Sequence, residues 1–147
     1  MYLVDTDVLS LGAPSRPDSS TLRWMHAHSG SLFLSAVSVT EVSAGITKLE
    51  QTGAKVRAAN LSKWLDLVLH LYGERVLPFE ASTARLAGKL IARTRAAGYS
   101  PGFADAAIAA TAGSYGLTVL TRNLRDFIPL GVDVLDPLDT LPPPLET

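Results

Sequence analysis

Four short stretches hold residue types able to do chemistry together. Asp5 and Asp7 end the apolar run Met1-Tyr2-Leu3-Val4 and bracket Thr6. Glu41 stands in Ser38-Val39-Thr40-Glu41-Val42-Ser43-Ala44-Gly45, and Asp105 in Phe103-Ala104-Asp105-Ala106-Ala107-Ile108. Thr121-Arg122-Asn123 runs into Leu124-Arg125-Asp126-Phe127. Each stretch alone has a bland reading, because Asp or Thr before an apolar run is the usual start signal of a helix. Gathered in one place, the carboxylates repel one another unless they are protonated or neutralised. A hard divalent cation neutralises them with the oxygen ligands it prefers; Mg2+ takes one or two carboxylates directly and leaves positions for a phosphate and a water. The chemistry implied is metal-assisted phosphodiester hydrolysis. Thr6, Thr121 and the Asn123 amide suit waters or phosphate oxygens, and Arg122 and Lys48 suit the phosphate backbone.

Those residues meet only if the intervening elements bring them together. Tyr2, Leu3 and Val4 suit a short strand buried on both faces, with Asp5 where it stops. Ser19 or Ser20 caps a helix that Gly30 ends, Leu32–Ser35 is a second strand, and Val39, Val42, Ile46 and Leu49 follow at helical spacing. A longer helix over Lys55–Tyr72 is apolar around most of its circumference, which calls either for a partner surface or for cover by other helices of the same domain. Arg75–Phe79 is expected as a third strand at or near the sheet centre despite Pro78. Ser82 or Thr83 opens a helix to about Ala97, with Arg85, Lys89 and Arg93 in one row. Ser100 and Pro101 are expected to open the next helix, which holds Asp105 and ends near Gly116. Leu117–Thr121 and Val132–Leu135 supply the last strands. Strands alternating with helices predict an α/β fold, a single domain with a mainly parallel central sheet of four to five strands and helices on both faces. Asp5 then lies at the carboxyl edge, where such sheets keep their sites.

The totals narrow the class. The 147 residues suit one domain, expected over 1–136 with a proline-rich tail at 137–147. With 47% hydrophobic residues, 18% charged, and no apolar run of the roughly 18 residues that a membrane span needs, a soluble protein is expected. Zero cysteines exclude disulfides, thiolate zinc sites and cysteine nucleophiles. No signal peptide is evident, so a cytoplasmic location is expected. A net charge of −1 argues against a protein that coats nucleic acid through summed charge. His26, His28 and His70 lack chelating neighbours, and no Gly-x-Ser-x-Gly turn supports serine hydrolysis.

The blocks around Asp5, Glu41, Asp105 and Thr121–Phe127, taken in order, resemble the PIN-domain ribonucleases, and most of all the VapC-type toxins of bacterial toxin–antitoxin pairs. The resemblance implies an endoribonuclease dependent on Mg2+ or Mn2+, acting on RNA as a homodimer and inhibited by a VapB-type antitoxin. It places Asp5, Glu41 and Asp105 as the acidic triad, with Asp5 and Asp105 as principal metal ligands and Glu41 and Asp126 as weaker ones. This sequence departs from the family in two places. Asp7 replaces the usual asparagine and reads better as a cap than as a ligand, and Asn123 stands where some members carry aspartate. Two other readings compete: a haloacid-dehalogenase-type phosphatase with Asp5 as nucleophile, and a non-catalytic dimeric binding module built on the Lys55–Tyr72 helix.

Overall fold

The structure, a computed structural model, describes residues 1–14 and 19–140. Its centre is a five-stranded sheet of β1 (Tyr2–Val4), β2 (Leu32–Ser35), β3 (Val76–Leu77), β4 (Thr118–Leu120) and β5 (Val134–Leu135), in the order β3-β2-β1-β4-β5. Every pairing is parallel, with Leu3 opposite Phe33 on one side and Val119 on the other. The strands are short, so each supplies only one or two residues per face, and the alternation assigns them strictly. Leu3 and Val119 enter one core, and Val4 and Leu120 the opposite one. All four are fully buried, at roughly 1.5–3 kcal/mol for each such side chain taken from water.

Helices cover both faces, as the alternating sequence pattern requires. The first face packs against α5 (Ala81–Ala96), α6 (Phe103–Tyr115) and α7 (Leu124–Phe127), the second against α1 (Thr6–Leu9), α2 (Ser20–Ala27) and α4 (Lys55–Tyr72). Between them, α3 (Ala36–Gln51) joins α4 through Ile46, Ala58 and Leu65. The run of alanines in α6 is buried because a helix of small residues can lie close on the sheet, and Gly116, at φ +64°, ends it in the left-handed conformation that glycine adopts freely. Arg75 pins the entry to β3 by donating to the carbonyls of Ser29, Leu32 and Leu71 while its guanidinium lies over the Tyr72 ring.

Several expectations change. β3 lies at the sheet edge and not near its centre: only Val76 and Leu77 pair, and Pro78, which has no N–H to donate, closes the strand. α6 begins at Phe103 with Gly102 as its N-cap, so Ser100 and Pro101 lie in the preceding turn. α2 ends at Ala27, ahead of Gly30, and α5 starts after Glu80 without a side-chain cap. α4 meets both of its alternatives: Ala58, Leu65 and Val68 are covered by the domain, whereas Val56, Leu67 and Leu71 stay exposed. At the boundary set at 136, Pro137 is buried and its carbonyl accepts a hydrogen bond from the Thr21 hydroxyl at 3.1 Å. The tail from 141 to 147 lies outside the described residues, as does the 15–18 part of the loop after α1. Among the described residues, no helix is long and apolar enough to cross a membrane.

Candidate active site

Asp5, Thr6 and Asp7 leave the end of β1 at the carboxyl edge of the sheet, and each side chain ties to a different element. Asp5 is the N-cap of α1, its Oδ1 accepting the Thr6 N–H at 2.8 Å. Its Oδ2 accepts the Thr121 hydroxyl at 2.8 Å from the end of β4. Capping and site geometry therefore coincide in one residue. The Thr6 hydroxyl donates to Glu41 Oε1 at 2.7 Å and so fixes the α3 carboxylate at the mouth of the crevice. Asp7 Oδ2 accepts the Arg122 backbone N–H at 3.1 Å, while its Oδ1 is buried with no hydrogen-bond partner. The N-cap place expected of Asp7 is thus taken by Asp5. The side chain instead holds the turn after β4, and one oxygen remains unused.

α6 and α7 complete the edge. Asp105 stands in the first turn of α6, where the helix N-terminus favours negative charge. In the β4–α7 turn the Asn123 N–H donates to the Thr121 hydroxyl oxygen at 2.9 Å, and the Asn123 side-chain amide donates to Asp126 Oδ2 at 2.6 Å. Asp126 is therefore engaged with Asn123, and that bond uses one N–H of the Asn123 amide expected to hold water or phosphate. Arg122 is exposed beside Asp7, whereas Lys48 lies on an exposed surface of α3 with Thr40, Ala44 and Gln51. The histidines are structural or solvent-facing: His28 stacks on Trp24 at 4.7 Å and bonds its carbonyl, and His26 and His70 are exposed.

The carboxylates respond to one another. Burial pushes Asp5 up to about 7; the Thr121 and Thr6 hydrogen bonds oppose this, and the charges of Asp7 and Asp105 add to it. Burial likewise raises Asp105, helped by the charges of Asp126, Glu41 and Asp7. Asp7 is also raised by burial, against the pull of the Arg122 N–H, then of the Val8 N–H and the Asp5 side chain, and last of the Arg122 charge. Residues from β1, α1, α3, α6 and α7 therefore share one field of uncompensated negative charge. Among the described residues no three His, Cys, Asp or Glu side chains stand close enough to enclose a metal ion by themselves. An all-oxygen, mutually repelling set with an unpaired buried oxygen at Asp7 fits a hard cation that keeps part of its water shell, which is how Mg2+ binds.

Sequence reasoning had no means of finding some of this site's partners. The cavity beside Thr6 and Glu41, with Arg57 and Gly45 in its lining, left no local signal. Nor did the link from Asp7 to Arg122, which joins residues 115 positions apart.

Comparison with known proteins identifies the family. The family model of the PIN domain matches residues 2–128. The chain is 36% identical over 140 residues to the plasmid stability protein StbB of Pseudomonas syringae pv. tomato, covering 93% of this chain and 98% of that one. It is 33% identical over 138 residues to the VapC ribonuclease Y4jK of Sinorhizobium fredii, with 93% and 97% covered. Among solved structures, FitAcB from Neisseria gonorrhoeae matches with a TM-score of 0.83 at 29% identity, covering 94% of this chain and 99% of that one. With one family's pattern running through the domain and relatives matched along nearly their full lengths, this chain belongs to the PIN-domain family, among its VapC-type members.

Proposed function

We propose that the protein is a Mg2+-dependent endoribonuclease, with Mn2+ able to substitute, and the toxin of a toxin–antitoxin pair. One observation carries the reading: carboxylates from four helices and a strand end meet at the carboxyl edge of the sheet and raise one another's affinity for positive charge. Asp5 and Asp105 are the principal ligands, with Glu41, Asp126 and the free Asp7 oxygen around them. Asp5 and Asp105 would hold the ion, which would supply Lewis-acid polarisation of a phosphate and a more acidic water. The chain's own residues prepare that geometry. Thr6 N–H and the Thr121 hydroxyl hold both Asp5 oxygens, so the carboxylate keeps one orientation. Thr6 aims Glu41, and Asp7 fixes the turn that presents Arg122 to an RNA backbone. Membership of the PIN family leaves the phosphatase reading without support.

The partners follow from the same reading. A VapB-type antitoxin would bury the apolar groove between α2 and α4, lined by Leu22, Met25, Leu67 and Leu71, two of which are exposed large side chains. The protein would act as a homodimer in the cytoplasm. The test is single-turnover cleavage of structured RNA with and without Mg2+, comparing the parent with Asp5→Asn and Asp105→Asn. Loss of cutting in both variants and without metal is the expected result; equal cutting by all three proteins means a contaminant and ends the proposal.

A further inference from the structure

The acidic crevice continues into a second space that the cleavage chemistry leaves unused. Thr6 and Glu41 form one lip of a cavity of about 240 Å3 between α3, α4 and the turn after α1. Ile46, Leu61 and Trp64 give its lining an apolar part, Thr6, Ser10 and Glu41 a polar one, and Arg57 of α4 stands on its exposed side.

We propose that this cavity seats one unpaired nucleobase of the RNA strand beside the phosphodiester to be cut, with Arg57 on the flanking phosphate. The inference rests on the nuclease reading above and adds to it a seat for one base next to the acidic crevice. Three observations converge. The cavity is smaller than the roughly 300–1,000 Å3 clefts that take drug-sized ligands, and suits a single planar ring system. An aromatic and aliphatic lining with hydroxyls at the lip matches a base, which is apolar on its faces and polar at its edges; proteins read unpaired bases with such surfaces. Arg57 makes no hydrogen bond or ion pair with the described residues, so its charge is available where the neighbouring crevice is acidic. A cation at that point compensates the phosphate of an incoming strand.

Continuity with the site identifies the occupant. Thr6 and Glu41 line the cavity and also border the acidic crevice, so a strand whose phosphate lies at Asp5 and Asp105 brings its neighbouring base to this opening. A base inside a duplex is paired and stacked and cannot enter; a base in a loop or at an end can be splayed out. A peptide is the competing occupant and would not discriminate between paired and unpaired RNA.

Gly45 allows a test that spares the catalytic groups. It lies one helical turn after Glu41 in the cavity lining, and a Cβ built on it meets nothing within 4 Å. Gly45→Leu therefore adds an apolar side chain to the cavity lining from an uncrowded Cβ position and removes a helix-weakening glycine. Binding is read by anisotropy of a fluorescein-labelled single-stranded oligoribonucleotide, without divalent metal so that nothing is cut. The probe is compared with the same strand in a duplex and with abasic versions. The parent should prefer the single strand over both by about five-fold or more, the effect of one stacked base. Gly45→Leu should lose about five-fold or more on the intact strand and be indifferent to the abasic change, with thermal stability equal to or above the parent's. Arg57→Gln should lower the salt slope of log affinity by about 0.7, one phosphate of a single strand. The proposal is overturned if the parent does not bind the probe, binds duplex equally well, or is matched by Gly45→Leu. These readings involve no cleavage, so they stand apart from the Asp5→Asn and Asp105→Asn test of the nuclease itself.

Discussion

Replacing Asp5 with asparagine should make the metal-free protein more stable above neutral pH while abolishing its activity. The folded chain holds the Asp5 proton up to about pH 7, whereas the unfolded chain releases it near the ordinary value of 3.8. Between those values the folded state binds more protons, so stability falls as pH rises through the window. A shift of about 3 units, at about 1.4 kcal/mol each, sets a ceiling of roughly 4 kcal/mol on the penalty at pH 8. Asparagine keeps the geometry: its oxygen accepts the Thr6 N–H, and its amide donates to the Thr121 hydroxyl oxygen in place of the bond received. Urea unfolding in EDTA at pH 5 and pH 8 measures the effect. The variant should be ahead by up to about 1.6 kcal/mol at pH 5, since the unfolded chain has already released its proton there, and by up to about 4 kcal/mol at pH 8. Added Mg2+ should narrow the gap by stabilising the parent alone, since a ligand bound only to the folded state stabilises it by mass action. The reasoning fails if the difference between variant and parent is flat from pH 5 to pH 8, or if the variant is weaker at pH 8.

Three further outcomes follow from named contacts. Thr121→Val removes a hydrogen bond that lowers Asp5, so the Asp5 pKa should rise further and the acidic limb of the pH–rate profile should move to higher pH. Asp126→Asn removes the largest charge acting on Asp105 and should lower the Asp105 pKa, measurable by carboxyl-carbon NMR titration of the metal-free protein. Arg75→Ala strands the Ser29, Leu32 and Leu71 carbonyls and should cost about 2–3 kcal/mol in chemical denaturation without changing the Mn2+ affinity of the acidic edge.

The sequence disclosed the parts that depend on neighbours along the chain. The apolar run ending at Asp5, the cap at Ser19, the helical spacing of Val39, Val42, Ile46 and Leu49, and the glycine at 116 are local signals, and β1, α2, α3 and α6 lie close to where those signals put them. Asp5, Glu41 and Asp105 could be brought to one edge because parallel β–α–β connections have a fixed hand. Pairing between distant strands is a different matter. Nothing within Val76–Leu77 says that β3 is an edge, since that follows from which strand it pairs with. The Asp7–Arg122 bond depends on the register of β1 against β4, and Asp7 was read as a local cap because only local partners were in view. Arg57 looks like any charge in the first turn of α4 until α3 and α1 are placed beside it.

The three successive residues at the end of β1 have a consequence for synthesis. Asp5 and Asp7 find their partners 116 and 115 residues later, in the last quarter of the chain. Contacts of such separation close late, after the loop entropy of nearly the whole domain has been overcome. A growing chain on the ribosome carries its first carboxylates from the beginning but lacks the groups that orient them until β4 has emerged and docked against β1. Under the proposed activity a half-made copy of this protein is harmless to the RNA around it, and the last step of folding is also the step that arms it.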